Sequence, residues 1–238
     1  PAVVKKKPPP PPVVRKKPPP RVVVRNDDLL DKPVVKPVAK GLAASEKKAD
    51  GLYRGKDWKA ASAILREAAA GASDKDARRL RAAASDYETI GTNLSTGATL
   101  AKANPTQALG ALQKALKADR RVGGAHQQAI RENIAKVAPS AAAAYMAKQN
   151  YPMAKIAADD AVNVGAGSNS TVANVRSSLE RKAGELFASA QQLMKSQPEE
   201  AKNRLRTIMK IVPADSPWYS KAYKQLNQRK KAAADEDE

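Results

Sequence analysis

From Leu42 onward the chain places apolar residues at helical spacing, and it does so in one register four times. Ala61, Ala108, Ala154 and Ala201 stand 47, 46 and 47 residues apart. Four residues after these anchors come Leu65, Leu112, Ala158 and Leu205; seven after come Ala68, Ala115, Ala161 and Ile208. Offsets of four and seven fall on one face of an α-helix. Ahead of each anchor lies a related hexapeptide: "LYRGKD" (52–57), "TLAKAN" (99–104), "YMAKQN" (145–150) and "QLMKSQ" (192–197). Its second position is Tyr53, Leu100, Met146 or Leu193, always large and apolar. No alternating run of useful length predicts a strand.

Punctuation divides this region into about eight helices, alternating long and short. The breaks fall at "GASDKD" (71–76), "NP" (104–105), "RRVGG" (120–124), "GAGSNS" (165–170), "QPEE" (197–200) and "PADSP" (213–217). Asp or Ser ahead of a helical run can cap it, and proline in the first turn costs no hydrogen bond. Each unit then consists of a long helix A, a tight turn and a short helix B. The A helices are predicted near 42–55, 74–103, 125–149 and 170–196, and the B helices at 58–70, 105–119, 152–163 and 198–211. The repeats run 42–72, 73–121, 122–166 and 167–213, and a last helix, 217–231, covers the exposed face of the final pair. A hairpin cannot bury its apolar face alone, so the pattern predicts an all-α array of αα-hairpins with caps.

The spacing resembles the tetratricopeptide repeat, whose second helix has a small anchor, a large residue at +4, Ala at +7 and often Pro at +12. Ala201, Leu205, Ile208 and Pro213 occupy those places, and Ala108, Leu112 and Ala115 fit three of them. Twelve residues before the anchor the family has a small residue, and here stand Ala49, Thr96, Ala142 and Ser189. Nine before, where the family has an aromatic, only Tyr145 complies. The family period is about 34, so helix A would be longer here by roughly three turns. The Trp and Leu-Gly positions of the family's first helix are not kept. The resemblance covers residues 42–231 and implies a right-handed solenoid that binds other proteins.

Residues 1–41 obey different physics. They hold 11 of the 17 prolines, and 11 Lys/Arg against three Asp. Proline fixes φ and removes a donor, so Pro8–Pro12 and Pro18–Pro20 are expected to be polyproline II rods within a disordered, basic linker. Such a segment serves as a stiff spacer or as a ligand for aromatic-lined grooves. The closing "DEDE", within 232–238, is expected to be a solvated acidic tail. A chain that opens on Pro1 is expected to be part of a longer protein with an upstream module, or a processed product.

Chemistry is sparse. Cysteine is absent, which excludes disulfides and thiolate metal sites, and His126 is the only histidine. His126 stands where a helix should begin, so a capping or surface role is expected. Asp159 and Asp160 are sequence neighbours pointing about 100° apart on a helix, which does not make an acid–base dyad. Glu199 and Glu200 suit a helix N-terminus. "VGAGSNS" (164–170) has neither the preceding strand nor the GK[ST] ending of a phosphate loop. No catalytic residue, cofactor or metal site is predicted.

One feature recurs in a way that suits binding. Six residues before the anchors lie Gly55, Lys102, Lys148 and Lys195, with Arg54 and Lys56 flanking the first. In a stacked array the three lysines would form a basic ladder for another protein or an acidic peptide. Lysine in the last turn of a helix also complements the macrodipole without any ligand. The net charge of +19 raises nucleic acid as a partner. Aromatics are only 4% of the chain and no recognition module is visible, which argues against it. No apolar run reaches the ~20 residues of a membrane span. The expected function is therefore a non-catalytic interaction scaffold of a larger bacterial signalling or envelope-associated protein. Its place would be cytoplasmic, or periplasmic given an upstream membrane segment. The alternatives are a charge-driven binder of nucleic acid or anionic surfaces, and a regulatory subunit of an enzyme.

Overall fold

Capping side chains and first-turn prolines set where the helices begin. The computed structural model describes residues 42–235, with side chains through 227. The linker expected over 1–41 and the last three residues of the acidic tail lie outside the described residues. Asp57, Ser73, Asn104, Asn150, Asn169 and Ser216 each accept a hydrogen bond from a backbone N–H two or three residues on. That satisfies one orphan donor at each helix start. Pro105, Pro152 and Pro198 sit in first turns.

The described residues hold nine α-helices and no strand. Four A–B hairpins follow one another: α1 (Ala43–Arg54) with α2 (Trp58–Ala70), α3 (Asp74–Leu100) with α4 (Pro105–Arg121), α5 (Gln127–Ala147) with α6 (Tyr151–Asn163), and α7 (Ser170–Leu193) with α8 (Pro198–Ile211). The last helix, α9 (Pro217–Asp235), continues past Lys231, where the sequence reading ends it. Each helix packs on its successor. The remaining substantial packing joins helices two apart: α3 with α5, α5 with α7, α6 with α8 and α7 with α9.

The four anchors Ala61, Ala108, Ala154 and Ala201 are all 0% exposed. Leu65, Leu112, Ala158 and Leu205, one helical turn on, are buried as well. Alanine at such seams lets two helix backbones approach closely, and the bulk one turn later fills the space beside them. Tyr53 is buried, while Leu100, Met146 and Leu193 are half-buried at the rim of the same interfaces. The buried apolar residues form two adjoining cores. One spans α1–α3 with Ala118 of α4, the other spans α4–α9, and Leu94 of α3 packs against both.

The A helices end earlier than their periodicity suggests, at Leu100, Ala147 and Leu193 instead of 103, 149 and 196. The final residues of each predicted run belong to the A–B turn. Two turn geometries occur. After α1 and α5 the chain closes a Schellman motif, with Asp57 N on Leu52 O and Lys56 N on Tyr53 O, then Asn150 N on Tyr145 O and Gln149 N on Met146 O. That motif needs a left-handed residue, and Lys56 (φ 68°) and Gln149 (φ 56°) supply it without being glycine. After α3 and α7 the bonds run instead from Asn104 N to Leu100 O and from Gln197 N to Leu193 O.

Candidate functional site

The residues singled out for binding stand at these turns. Lys102 and Lys195 follow the ends of α3 and α7, and Lys148 is the C-cap residue of α5. They therefore lie beyond the last helical turn in which macrodipole complementation was expected. All three are exposed, and none makes an ion pair among the described residues. Arg54 differs. Its Nε pairs with Asp50 one turn earlier at 2.8 Å, and that hydrogen bond together with the Asp50 charge holds the guanidinium more firmly protonated. Arg54 thus brings less free charge to a partner than the turn lysines do.

Where α1 meets α2–α5, a polar cluster is buried that the sequence reading did not find. Tyr53 Oη donates to Asp119 Oδ1 near the end of α4 and accepts from Ala125 N at 2.9 Å. Asp119 Oδ1 also accepts from His126 N at 3.3 Å, while its Oδ2 is buried without a partner among the described residues. His126 Nε2 lies 2.8 Å from Tyr53 O; a carbonyl only accepts, so this nitrogen carries the proton. The His126 ring meets Trp58 and Tyr53 edge-on, with centroids 4.6 and 4.9 Å away, and Tyr87 stacks on Tyr53 at 4.8 Å. Burial, then the hydrogen bond and charge of Asp119, drive the Tyr53 phenol far above its ordinary range. Tyr87 is pushed up to about 12 by burial, with the Asp50 and Glu46 carboxylates adding to it.

This corrects the expectation for His126. It occupies the N-cap position of α5, but its side chain makes no capping bond, and the residue is 7% exposed. The glycine-rich approach turns the ring inward onto Tyr53 and Trp58 instead of outward to solvent. With Tyr53 1% and Asp119 0% exposed, the cluster joins three hairpins. A lone histidine carries no periodic signal that could have placed it there.

The adjacent carboxylates of α6 part as helix geometry requires. Asp159 faces α7 and takes Arg176 Nη2 at 3.2 Å and Lys155 Nζ at 2.6 Å. Asp160 faces α4, where Gln113 Nε2 donates to it at 2.5 Å, and desolvation raises its pKa despite that bond. Beside Asp159 a cleft of 270 Å³ opens between α6, α7 and the α8–α9 connection. Among the described residues no group of three His, Asp or Glu could hold a metal ion, and no helix is long and apolar enough to cross a membrane.

No protein-family model matches the chain, and neither a curated protein nor a solved structure is similar to it. The class therefore rests on the helices themselves: an all-α chain whose described residues pack in successive contacts, consistent with a helical repeat.

Proposed function

We propose that this chain is a divergent tetratricopeptide-like array, a right-handed solenoid of αα-hairpins, that works as a non-catalytic protein–protein interaction scaffold. The partner is an acidic peptide or the acidic surface of another protein, held along the A–B turns by Lys102, Lys148 and Lys195, with Arg54 at the edge. The Pro-rich segment 1–41 serves as a stiff basic spacer beside the array. The single observation that supports this reading is a recurrent pairing in the last three repeats. Each buried alanine anchor is preceded, six residues earlier, by an exposed lysine at the A–B turn that makes no ion pair among the described residues. A repeat that buries its seam in register presents its turns in register too, so isolated charges become a periodic row.

The test is anisotropy of a fluorescein-labelled oligoglutamate peptide titrated with the full chain. Replacing Lys102, Lys148 and Lys195 together by serine should weaken binding about 10-fold or more, the equivalent of ~1.4 kcal/mol. Exposed turn positions make loss of the fold an unwarranted explanation, and far-UV circular dichroism checks it. Equal affinity of wild type and triple variant would overturn the assignment. So would a duplex oligonucleotide that displaces the peptide and binds far more tightly at low salt, since counterion release dominates phosphate recognition.

A further inference from the structure

We infer that the cleft between α6, α7 and the α8–α9 connection binds a free α-amino acid with an apolar side chain. Arg176 and Glu180 stand four residues apart on α7, a spacing at which opposite charges commonly meet on a helix surface. Here they do not pair with each other. Arg176 reaches across to Asp159 of α6 at 3.2 Å, and Glu180 Oε2 accepts from Ser216 Oγ, ahead of α9, at 2.8 Å. The 270 Å³ cleft is lined by both residues, so an ion pair that sequence alone would draw closed is held open around it.

The two sides differ in charge. On the α6 side Lys155 and Arg176 share the single carboxylate of Asp159, which leaves one positive charge in excess. On the other side Glu180 and Asp215 line the cleft, and neither makes an ion pair among the described residues. Between them the floor is apolar, built from Leu179, Ile211 and Pro213. Arg176 and Asp215 are exposed and Lys155, Asp159 and Glu180 half-buried, so a ligand that brings the opposite charge to each side can reach and pair with both. An α-amino acid is the smallest molecule that does so. Its carboxylate meets Arg176 and Lys155, its ammonium meets Glu180 and Asp215, and an aliphatic side chain packs on the half-buried Pro213, above Leu179 and Ile211. The volume sits just under the ~300 Å³ at which pockets begin to accept drug-sized ligands, which favours a single residue over a long peptide.

Isothermal titration calorimetry of the full chain with L-leucine, N-acetyl-L-leucine and L-leucinamide tests this. L-Leucine should bind at one site, and each analogue, lacking one charge, should bind about 10-fold more weakly, a loss of ~1.4 kcal/mol. Glu180→Gln should abolish the preference over N-acetyl-L-leucine, and Arg176→Gln the preference over L-leucinamide. No saturable heat up to about 10 mM L-leucine, weaker than any affinity worth selecting, overturns the inference. Equal binding of the three probes overturns it as well, and that comparison needs no variant to fold. The turn lysines lie outside this cleft, so a negative result leaves the oligoglutamate experiment untouched.

Discussion

Tyr53 in the first helix donates its phenolic proton to the buried carboxylate of Asp119, 66 residues away near the end of α4. The same oxygen of Tyr53 accepts from Ala125 N at 2.9 Å, so one side chain ties α1 to both ends of the α4–α5 connection. Asp119 is 0% exposed and its second oxygen has no partner among the described residues. The tolerance of this carboxylate for burial therefore depends heavily on Tyr53.

Removing that one donor should cost more than an average hydrogen bond. In Tyr53→Phe, Asp119 keeps only the His126 N–H at 3.3 Å. A loss of about 2–4 kcal/mol is expected, because a charged acceptor is left buried and under-satisfied. Asp119→Asn removes the charge and keeps an acceptor, and should cost about 1 kcal/mol. The double variant should be far less than additive, as expected for residues in contact. Urea unfolding followed by far-UV circular dichroism measures all three.

Alkali should unfold the chain through its buried phenols. The folded state holds the Tyr53 and Tyr87 protons more tightly than the unfolded chain, where the ordinary value is 10.0. Their contribution is thus fully present below pH 10. It is lost as pH rises through the folded value of about 12 for Tyr87, and further still for Tyr53. Phenolate absorbance from these two residues should rise together with loss of helical dichroism. Phenolate appearing from both while the helices persist would contradict the burial argument.

Two helical glycines should respond in opposite directions to alanine. A Cβ on Gly97 of α3 would lie 2.7 Å from Leu112 Cδ2, inside the buried α3–α4 seam. Gly97→Ala should destabilise by about 1–3 kcal/mol, the range for overpacking a core. A Cβ on Gly110 of α4 meets nothing within 4 Å. Gly110→Ala should stabilise by about 0.8–1 kcal/mol through helix propensity alone. Thermal melts of the two variants decide the matter, and shifts of the same sign would contradict the packing described.

The left-handed turn residues offer a local gain. Gln149, at φ 56°, occupies a conformation that side chains with a Cβ resist. Gln149→Gly should raise stability by about 0.5–1 kcal/mol. Ser196, at the equivalent turn of the last hairpin, is not left-handed. Ser196→Gly should therefore bring no gain, and chemical denaturation distinguishes the two.

Most of the helix plan was legible because its causes are local. Asp57 caps α2 through Ala60 N, Asn104 caps α4 through Gln107 N, and Pro198 opens α8, all within three residues of the chain. The anchor period was legible for a related reason: a seam repeated every hairpin needs the same small residue each time. The candidate lysines were legible as positions, although the helices stop before them. The buried cluster was not. Tyr53 counted only as one more large apolar residue, and nothing near Asp119 or His126 in sequence distinguishes them from exposed neighbours. The cleft was hidden too, since nothing near Arg176 or Glu180 in sequence shows that each bonds to a different neighbouring element.

The amino-acid sequence by itself determined where helices start and stop, which face of each is apolar, and that hairpins recur every 46–47 residues. Hydrogen-bond capping and the 3.6-residue period act over one or two turns, and so can be read along the chain. Only the tertiary structure decided that Tyr53 meets Asp119, that His126 turns inward, and that Arg176 and Glu180 part around a cleft. Those outcomes depend on how one hairpin docks on the next, and docking brings together groups that no local periodicity relates.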